Sequence, residues 1–321
     1  MTILAGIDEA GYGPLLGPLV VSAVALDVPD SCLSSNLWKL LSRAVARQKK
    51  SLRGRLQVND SKKVYTPKTG IQALRRTVLG ALAAADNAPT PATAGLFLSR
   101  LCPDCAHRLG DYPWHIGLDQ RPLECPADVP IAADLLRRTM SARDMKILLL
   151  QSRCLDVTYF NRRISAVKNK SRVLFSEVCC LVDAVMKIPA PPDGPVHIVI
   201  DQQGGRTDYR PELQRMFPSM DLAEIKRKGK ISSYELTGSG RILRLHFVAR
   251  ADAGCLPVAL ASMISKFIRE LLMEQFNEYF MDRFGMKSTA GYWKDGRRFI
   301  DDLSARFPDS LKNTDRLIRL R

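Results

Sequence analysis

The sequence predicts an α/β fold, a mixed β-sheet flanked by helices, with a helical extension over the last part of the chain. Three observations carry this expectation. Two runs rich in Val, Ile, Leu and Ala, residues 3–8 and 18–26, come first and read as core strands. Helical patterns then alternate with further short strands. Finally, acids stand at strand ends, Asp8 after the first and Asp201 after a later one, where ligands of such sheets usually lie.

Taken in order, the first two strands are joined by the Gly/Pro-dense link Gly11-Tyr12-Gly13-Pro14. From Arg43 to Arg76 there are eleven Lys/Arg and one acid, Asp60, and a helix follows Pro67 with Ile71, Leu74, Val78, Leu79 and Leu82 on one face. Residues 87–130 hold seven of the 19 prolines, two His and three Cys with little periodicity, which marks an insertion. Met145 to Leu150 reads as a strand and Ser171 to Lys187 as a helix ended by the stretch Pro189 to Pro195. Val196 to Asp201 is a short buried strand closing on an acid, and the runs 221–226, 231–236 and 241–249 read as strands, with Thr237-Gly238-Ser239-Gly240 as a hairpin turn. A long helix fills about 257–281, and a last amphipathic helix follows Gly296. The expected division is a catalytic domain over 1–255, interrupted by the 87–130 insertion, and a helical extension over 256–321.

Composition narrows the function. With 321 residues and 46% hydrophobic content the chain can bury a core. The 48 Lys+Arg against 33 Asp+Glu leave a net charge of +15, a field that attracts polyanions such as nucleic acid. The longest near-apolar run, Pro14 to Leu26, has 13 residues, against about 20 for a membrane span. Nothing at the N-terminus reads as a signal peptide, and eight scattered cysteines suit reduced thiols, so a cytoplasmic monomer is expected.

The string Gly6-Ile7-Asp8-Glu9-Ala10-Gly11-Tyr12-Gly13-Pro14-Leu15-Leu16-Gly17-Pro18 closely resembles the first motif of the type 2 ribonucleases H, the ribonuclease HII group, which reads G-x-D-E-A-G-R-G-P-x-x-G-P. It departs at Tyr12. Val58-Asn59-Asp60-Ser61-Lys62-Lys63 resembles that family's N-D-S-K-K loop, Ile200-Asp201 its third motif, and Arg250-Ala251-Asp252-Ala253 with Ala261-Ser262-Met263-Ile264-Ser265-Lys266 its fourth. Gln202 stands where the family commonly has Gly. The resemblance covers about 1–85 and 140–305. It implies a ribonuclease H-like fold with four catalytic acids, Asp8, Glu9, Asp201 and Asp252, around two divalent ions, Mg²⁺ or Mn²⁺. Phosphodiester cleavage of that kind asks for hard oxygen ligands and needs no His or Cys.

Each acid in isolation reads as a turn cap or a strand-end acceptor, and their shared order reverses that preference. Gly6, Gly11 and Gly13 are expected to permit close backbone approach and positive φ, so that Asp8 and Glu9, which would leave opposite faces of a regular strand, are held together. The resemblance also implies a substrate-sensing role for Gly11, Tyr12 and Gly13 and for Tyr292, which read alone is equally an aromatic packing on the long helix. Lys62 and Lys63 are expected on phosphates beside the metals, with Lys226, Arg227, Lys228, Lys230 and the 43–76 run tracking the nucleic-acid backbone. The four His, at 107, 115, 197 and 246, do not form an acid–base pair for cleavage through the 2′-OH. Cys102-Pro103-Asp104-Cys105 has the spacing of half a zinc site, with Cys125 and His107 or His115 as completions; a second close pair is missing, and unliganded thiols are preferred to structural Zn²⁺.

The expected function is hydrolysis of the RNA strand of RNA/DNA hybrids, or of ribonucleotides embedded in DNA, to 3′-hydroxyl and 5′-phosphate ends. The rivals are a non-catalytic nucleic-acid-binding protein of the same fold and a structure-specific DNA nuclease.

Overall fold

The computed structural model describes residues 1–189, 194–238, 240–307 and 314–320. The strands are β1 (Thr2–Ala10), β2 (Leu19–Val28), β3 (Val45–Ala46), β4 (Leu56–Gln57), β5 (Lys146–Leu155), β6 (Val196–Asp201), β7 (Asp221–Lys228), β8 (Ile231–Gly238) and β9 (Arg241–Val248). The helices are α1 (Leu37–Leu40), α2 (Ser61–Val64), α3 (Gln72–Asp86), α4 (Ala94–Leu101), α5 (Ala106–Leu109), α6 (Val129–Ser141), α7 (Val157–Val167), α8 (Lys170–Met186), α9 (Arg210–Met216), α10 (Leu256–Phe284), α11 (Trp293–Arg306) and α12 (Thr314–Leu317). The expected stretch that ends α8 lies partly outside the described residues, at 190–193, as does Ser239 of the expected hairpin turn.

Seven strands form one mixed sheet in the order β5-β2-β1-β6-β9-β8-β7. β1, β6 and β9 run parallel at its centre, β2 and β5 continue antiparallel on one side, and β8 and β7 on the other. Central strands covered on both faces read as near-continuous apolar runs, and β2 is buried along almost its whole length. One face carries α3, α10 and the apolar residues of α4, α5 and α6; the other is covered by α7 and α8 with Phe160, Val173, Leu174, Val178 and Val182 inward. α10, 29 residues long, is buried for most of its length because it lies on β1 and β2, so the helical region after 255 begins inside the core.

The 87–130 segment is more ordered than its prolines suggest. Thr93 caps α4 by accepting from the Leu96 N–H, and Phe97 packs edge-to-face on Phe267 of α10 with ring centroids 5.3 Å apart. Its apolar residues Phe97, Leu98, Leu101 and Leu109 join the core shared by α3 and α10. Among the described residues no helix is long and apolar enough to cross a membrane.

Candidate active site

Parallel pairing places the acids. β1 and β6 run in register with Ile7 beside Ile200, so Asp8 and Asp201, each the next residue along, reach the same end of the sheet. β9 pairs Val248 with Asp201. The chain then leaves through Arg250 in the left-handed conformation, φ 57°, into a short turn, Ala251–Ala253, that carries Asp252. Ala251 N–H donates to Asp201 Oδ1 at 2.7 Å, tying that turn to the strand end.

The adjacent pair is held differently from expectation. β1 pairs regularly with β2 through Ala10, so Asp8 lies opposite Ser22 and Glu9 opposite Val21, on alternate faces. The glycines do not redirect the strand: Gly11 takes positive φ, 87°, whereas Gly6 and Gly13 do not. Asp8 faces α10. Ser262 hydrogen-bonds its carboxylate and lies 3.0 Å from Ser61 Oγ, while Ser265 donates to the Asp8 carbonyl at 3.0 Å. The Glu9 N–H donates to Asp8 Oδ1 at 2.8 Å.

The electrostatics show four carboxylates sharing one low-dielectric region. Asp8 is 8% exposed; burial first, then Glu9 and Asp201, push its carboxyl well above the usual range. Burial and then Asp201 push Glu9 up to about 7, with Lys62 opposing. Asp201 is raised by burial against the backbone donor Ala251 and Lys62. Asp252 is raised by burial, then by Asp60 and Asp201. Lys62, though exposed, is among the charges acting on Glu9, Asp201 and Asp252, whereas Lys63, also exposed, is not.

The donor set is all oxygen and mutually repelling, with Asp8 buried and Glu9, Asp201 and Asp252 half-buried, a donor chemistry that fits a hard divalent cation. Among the described residues no three His, Cys, Asp or Glu side chains converge tightly enough to hold a metal ion as they stand.

The link after β1 borders this region. Gly11 is required: a Cβ there would lie 2.5 Å from the Pro18 carbonyl oxygen and 2.9 Å from Arg269 Cδ. Gly13 is exposed with nothing within 4 Å of such a Cβ, so its small size serves nothing inside the protein. Tyr12 is half-buried, with the Lys170 ammonium 4.7 Å from its ring centroid. Tyr292 stands beside the link, since Leu15 N–H donates to the Gly291 carbonyl at 2.7 Å; at 48% exposure it is not a packed core aromatic.

Much of the 43–76 basic run is committed internally. The half-buried Arg47 donates to the Ala253 carbonyl at 2.7 Å and lies 3.7 Å over Trp38. Arg55 binds the carbonyls of Ser42, Ser51 and Leu52, Arg75 pairs with Glu124 and Arg76 with Asp128. Arg43, Lys49, Lys50 and Arg53 remain exposed. The β7–β8 hairpin exposes Lys226, Lys228 and Lys230, while Arg227 pairs with Asp208 at 2.9 Å.

Among the described residues the completions named for the Cys102 and Cys105 pair do not join it in a metal-holding group. Cys102 and Cys105 are buried, but Cys125 is exposed and directs its thiol to the Pro126 carbonyl, and His115 is buried against Gln275. Cys105 instead meets Cys102 and the buried Cys154 of β5 through thiol hydrogen bonds. His197 and His246 stack with each other on β6 and β9, away from any pairing with the acids.

Sequence reasoning missed Asp60, Ser262 and Ser265 as parts of this site. The signal was present: two serines three apart on an otherwise apolar stretch of α10 mark polar partners on the facing strand.

The sequence matches no protein-family model and no curated protein. Solved structures do match. Ribonuclease HII of Archaeoglobus fulgidus, in a complex with PCNA, is 18% identical over 99% of this chain and 94% of that chain, with a TM-score of 0.48. A Bst ribonuclease HIII in complex with Mn²⁺ is 15% identical over 99% and 66%, TM-score 0.48. Ribonuclease H2 of Pyrococcus horikoshii OT3 is 14% identical over 96% and 90%, TM-score 0.45. At these identities and scores the assignment rests on the residues of the chain itself.

Proposed function

We propose that the protein is a metal-dependent endoribonuclease that hydrolyses the RNA strand of RNA/DNA hybrids, or ribonucleotides embedded in DNA, leaving 3′-hydroxyl and 5′-phosphate ends. The observation that carries this reading is the meeting of Asp8 and Glu9 on β1, Asp201 at the end of the parallel β6 and Asp252 in the turn after the parallel β9, a mutually repelling set in which Asp8 is buried and the others are half-buried. A buried like-charge cluster costs stability unless a cation compensates it.

In this reading the four acids would hold Mg²⁺ or Mn²⁺, which when bound would supply an activated water and charge stabilisation at the leaving oxygen. The chain's own residues do the rest. Ser262 fixes the Asp8 carboxylate, the Ala251 N–H fixes that of Asp201, and Lys62 offers an ammonium to a phosphate oxygen beside the acids. Tyr12, Tyr292 and the open backbone at Gly13 border the place where a ribose would lie. The test is incubation with Mg²⁺ or Mn²⁺ of labelled hybrid, single-ribonucleotide duplex, RNA duplex and DNA. Cleavage confined to ribonucleotide-containing strands supports the reading; binding without cleavage favours a non-catalytic protein, and cleavage of DNA alone a DNA nuclease.

Binding should weaken steeply with salt. About six phosphate contacts give a slope of log K against log salt near −5, and replacing Lys62 and Lys63 by Ala should make it shallower by about 2. Anisotropy titrations across salt concentrations measure this, and a flat profile contradicts nucleic-acid binding.

Tyr12 should set the choice among ribonucleotide substrates. A phenol offers one donor where a guanidinium offers five, so the parent should cut four consecutive ribonucleotides better than one embedded in DNA. Tyr12→Arg should move that ratio toward the single ribonucleotide by roughly tenfold, or about 1.4 kcal/mol. Comparing kcat/KM on the two substrates decides it, and an unchanged ratio removes Tyr12 from substrate selection.

A further inference from the structure

Two arginines lie beneath the Gly11–Pro18 link where buried charge is costly. Arg269 is 0% exposed and Arg319 2% exposed, and among the described residues neither forms an ion pair. Arg269 donates to the carbonyls of Pro18 and Ala290 at 2.8 and 2.9 Å. Arg319 donates to the carbonyls of Gly11 and Tyr12, lies 4.0 Å over the Phe160 ring, and leaves its Nε without a partner. Burial of an unpaired guanidinium needs a compensating reason.

Arg319 is delivered by a well-anchored segment. Ile318 bridges antiparallel to Leu16, and the Arg319 N–H donates to the Leu15 carbonyl at 2.9 Å. Asn161 of α7 clamps the same segment: its Nδ2 donates to the carbonyls of Asp315 and Ile318, and its Oδ1 accepts from the Leu320 N–H at 2.7 Å.

Peptide geometry gives the consequence. In a trans peptide the C=O and the following N–H point in opposite directions. Carbonyls of Gly11 and Tyr12 turned down onto Arg319 therefore turn the N–H groups of Tyr12 and Gly13 away from it. Among the described residues neither N–H has an internal acceptor, and Gly13 is exposed with no neighbour where a side chain would stand. Two successive amides aimed outward form a concave donor pair for an anionic or hydroxyl oxygen.

We infer that Arg319 is a positioning residue, holding peptides 11–12 and 12–13 with both N–H groups turned outward to take an oxygen of a ribonucleotide in the substrate strand. The inference rests on the proposed function and adds to it the element that fixes the sensing turn. Arg319 does not touch the substrate. It selects ribonucleotides by keeping two donors in place, so its loss should act on discrimination rather than on the acids.

The experiment compares the parent with Arg319→Met, which keeps the apolar stem, and Arg319→Lys, which keeps a donor. Affinities for duplexes of one sequence, all-DNA and with four ribonucleotides, are measured in EDTA, and kcat and KM are measured with Mn²⁺. Expected for Arg319→Met is a roughly tenfold rise in KM on the ribonucleotide duplex with kcat within about threefold, and loss of the preference over all-DNA. Arg319→Lys should recover part of it. Unchanged discrimination in a folded variant, or equal loss of affinity for both duplexes, overturns the inference. Should Arg319→Met fail to fold, Asn161→Ala, which loosens the same segment, decides by the same split. A parent that neither cleaves nor prefers ribonucleotide duplexes overturns the proposed function and this inference together, whereas an active, discriminating parent with an indifferent variant overturns this inference alone.

Discussion

Asp8→Asn should yield a protein that folds at least as stably as the parent without metal, yet hydrolyses a ribonucleotide-containing duplex on the order of a thousandfold more slowly, a loss of about 4 kcal/mol of transition-state stabilisation. The two halves of this expectation have one cause. The Asp8 carboxylate is buried beside Glu9 and Asp201, and both raise its proton affinity; an amide of the same shape relieves that repulsion while its oxygen still accepts from the Glu9 N–H. The relieved charge is the one a divalent cation would use. Mg²⁺ or Mn²⁺ should therefore raise the Tm of the parent by mass action and raise that of Asp8→Asn by less. Asp201→Asn should behave alike, with its side-chain oxygen still accepting from Ala251. Thermal unfolding with and without metal, and single-turnover hydrolysis, read the two halves separately. Near-parental turnover in either variant sinks the site assignment, and hybrid affinity retained in both places the main phosphate contacts on other residues.

What the sequence made legible follows from how local each signal is. β6 was readable to the residue because a short apolar run between Pro195 and Asp201 has few alternatives, and β9 and α8 followed from clear periodicity. α4 and α5 were not, because Pro103, Pro113 and Pro122 dominate a segment whose helices are short and whose apolar residues find their partners in the core shared with α3 and α10. The acids were readable from their motifs, but their meeting depends on the register of β1, β6 and β9, which no single segment specifies. The bracing of the link by Arg269 and Arg319 was the least visible. Residues separated by 251 and 308 positions meet there, and an arginine in an amphipathic or terminal segment ordinarily reads as a solvated surface charge. A much shorter separation was enough to hide the meeting of Cys154 with Cys105.

Gly6→Ala should destabilise the protein by about 3 kcal/mol or more, whereas Gly13→Ala should leave stability within about 0.5 kcal/mol. Both replace glycine by alanine in one motif, and neither site has positive φ, so conformational preference does not separate them. Contact does. A Cβ at Gly6 would lie 2.2 Å from the backbone nitrogen of Val258 and 2.4 Å from the Pro257 carbonyl carbon, both in the first turn of α10, and no rotamer can move backbone aside. Relief requires α10 to lift from β1, opening the core that Ala259, Ala261 and Ile264 share with Val20 and Val24 of β2. Since α10 also carries Ser262 and Ser265, which bond the Asp8 carboxylate and carbonyl, the displacement reaches the site two residues along the strand. At ~3 kcal/mol the Tm should fall by roughly 5 °C for a chain of this size, and hydrolysis by whatever Gly6→Ala retains folded should fall with it. Gly13→Ala meets nothing within 4 Å; its effect should be confined to KM for ribonucleotide substrates, because the methyl group stands where the substrate must approach the outward amides. Thermal unfolding of both variants beside steady-state kinetics separates the cases, and a Gly6→Ala protein of parental stability would show that α10 is not held against β1 at this distance.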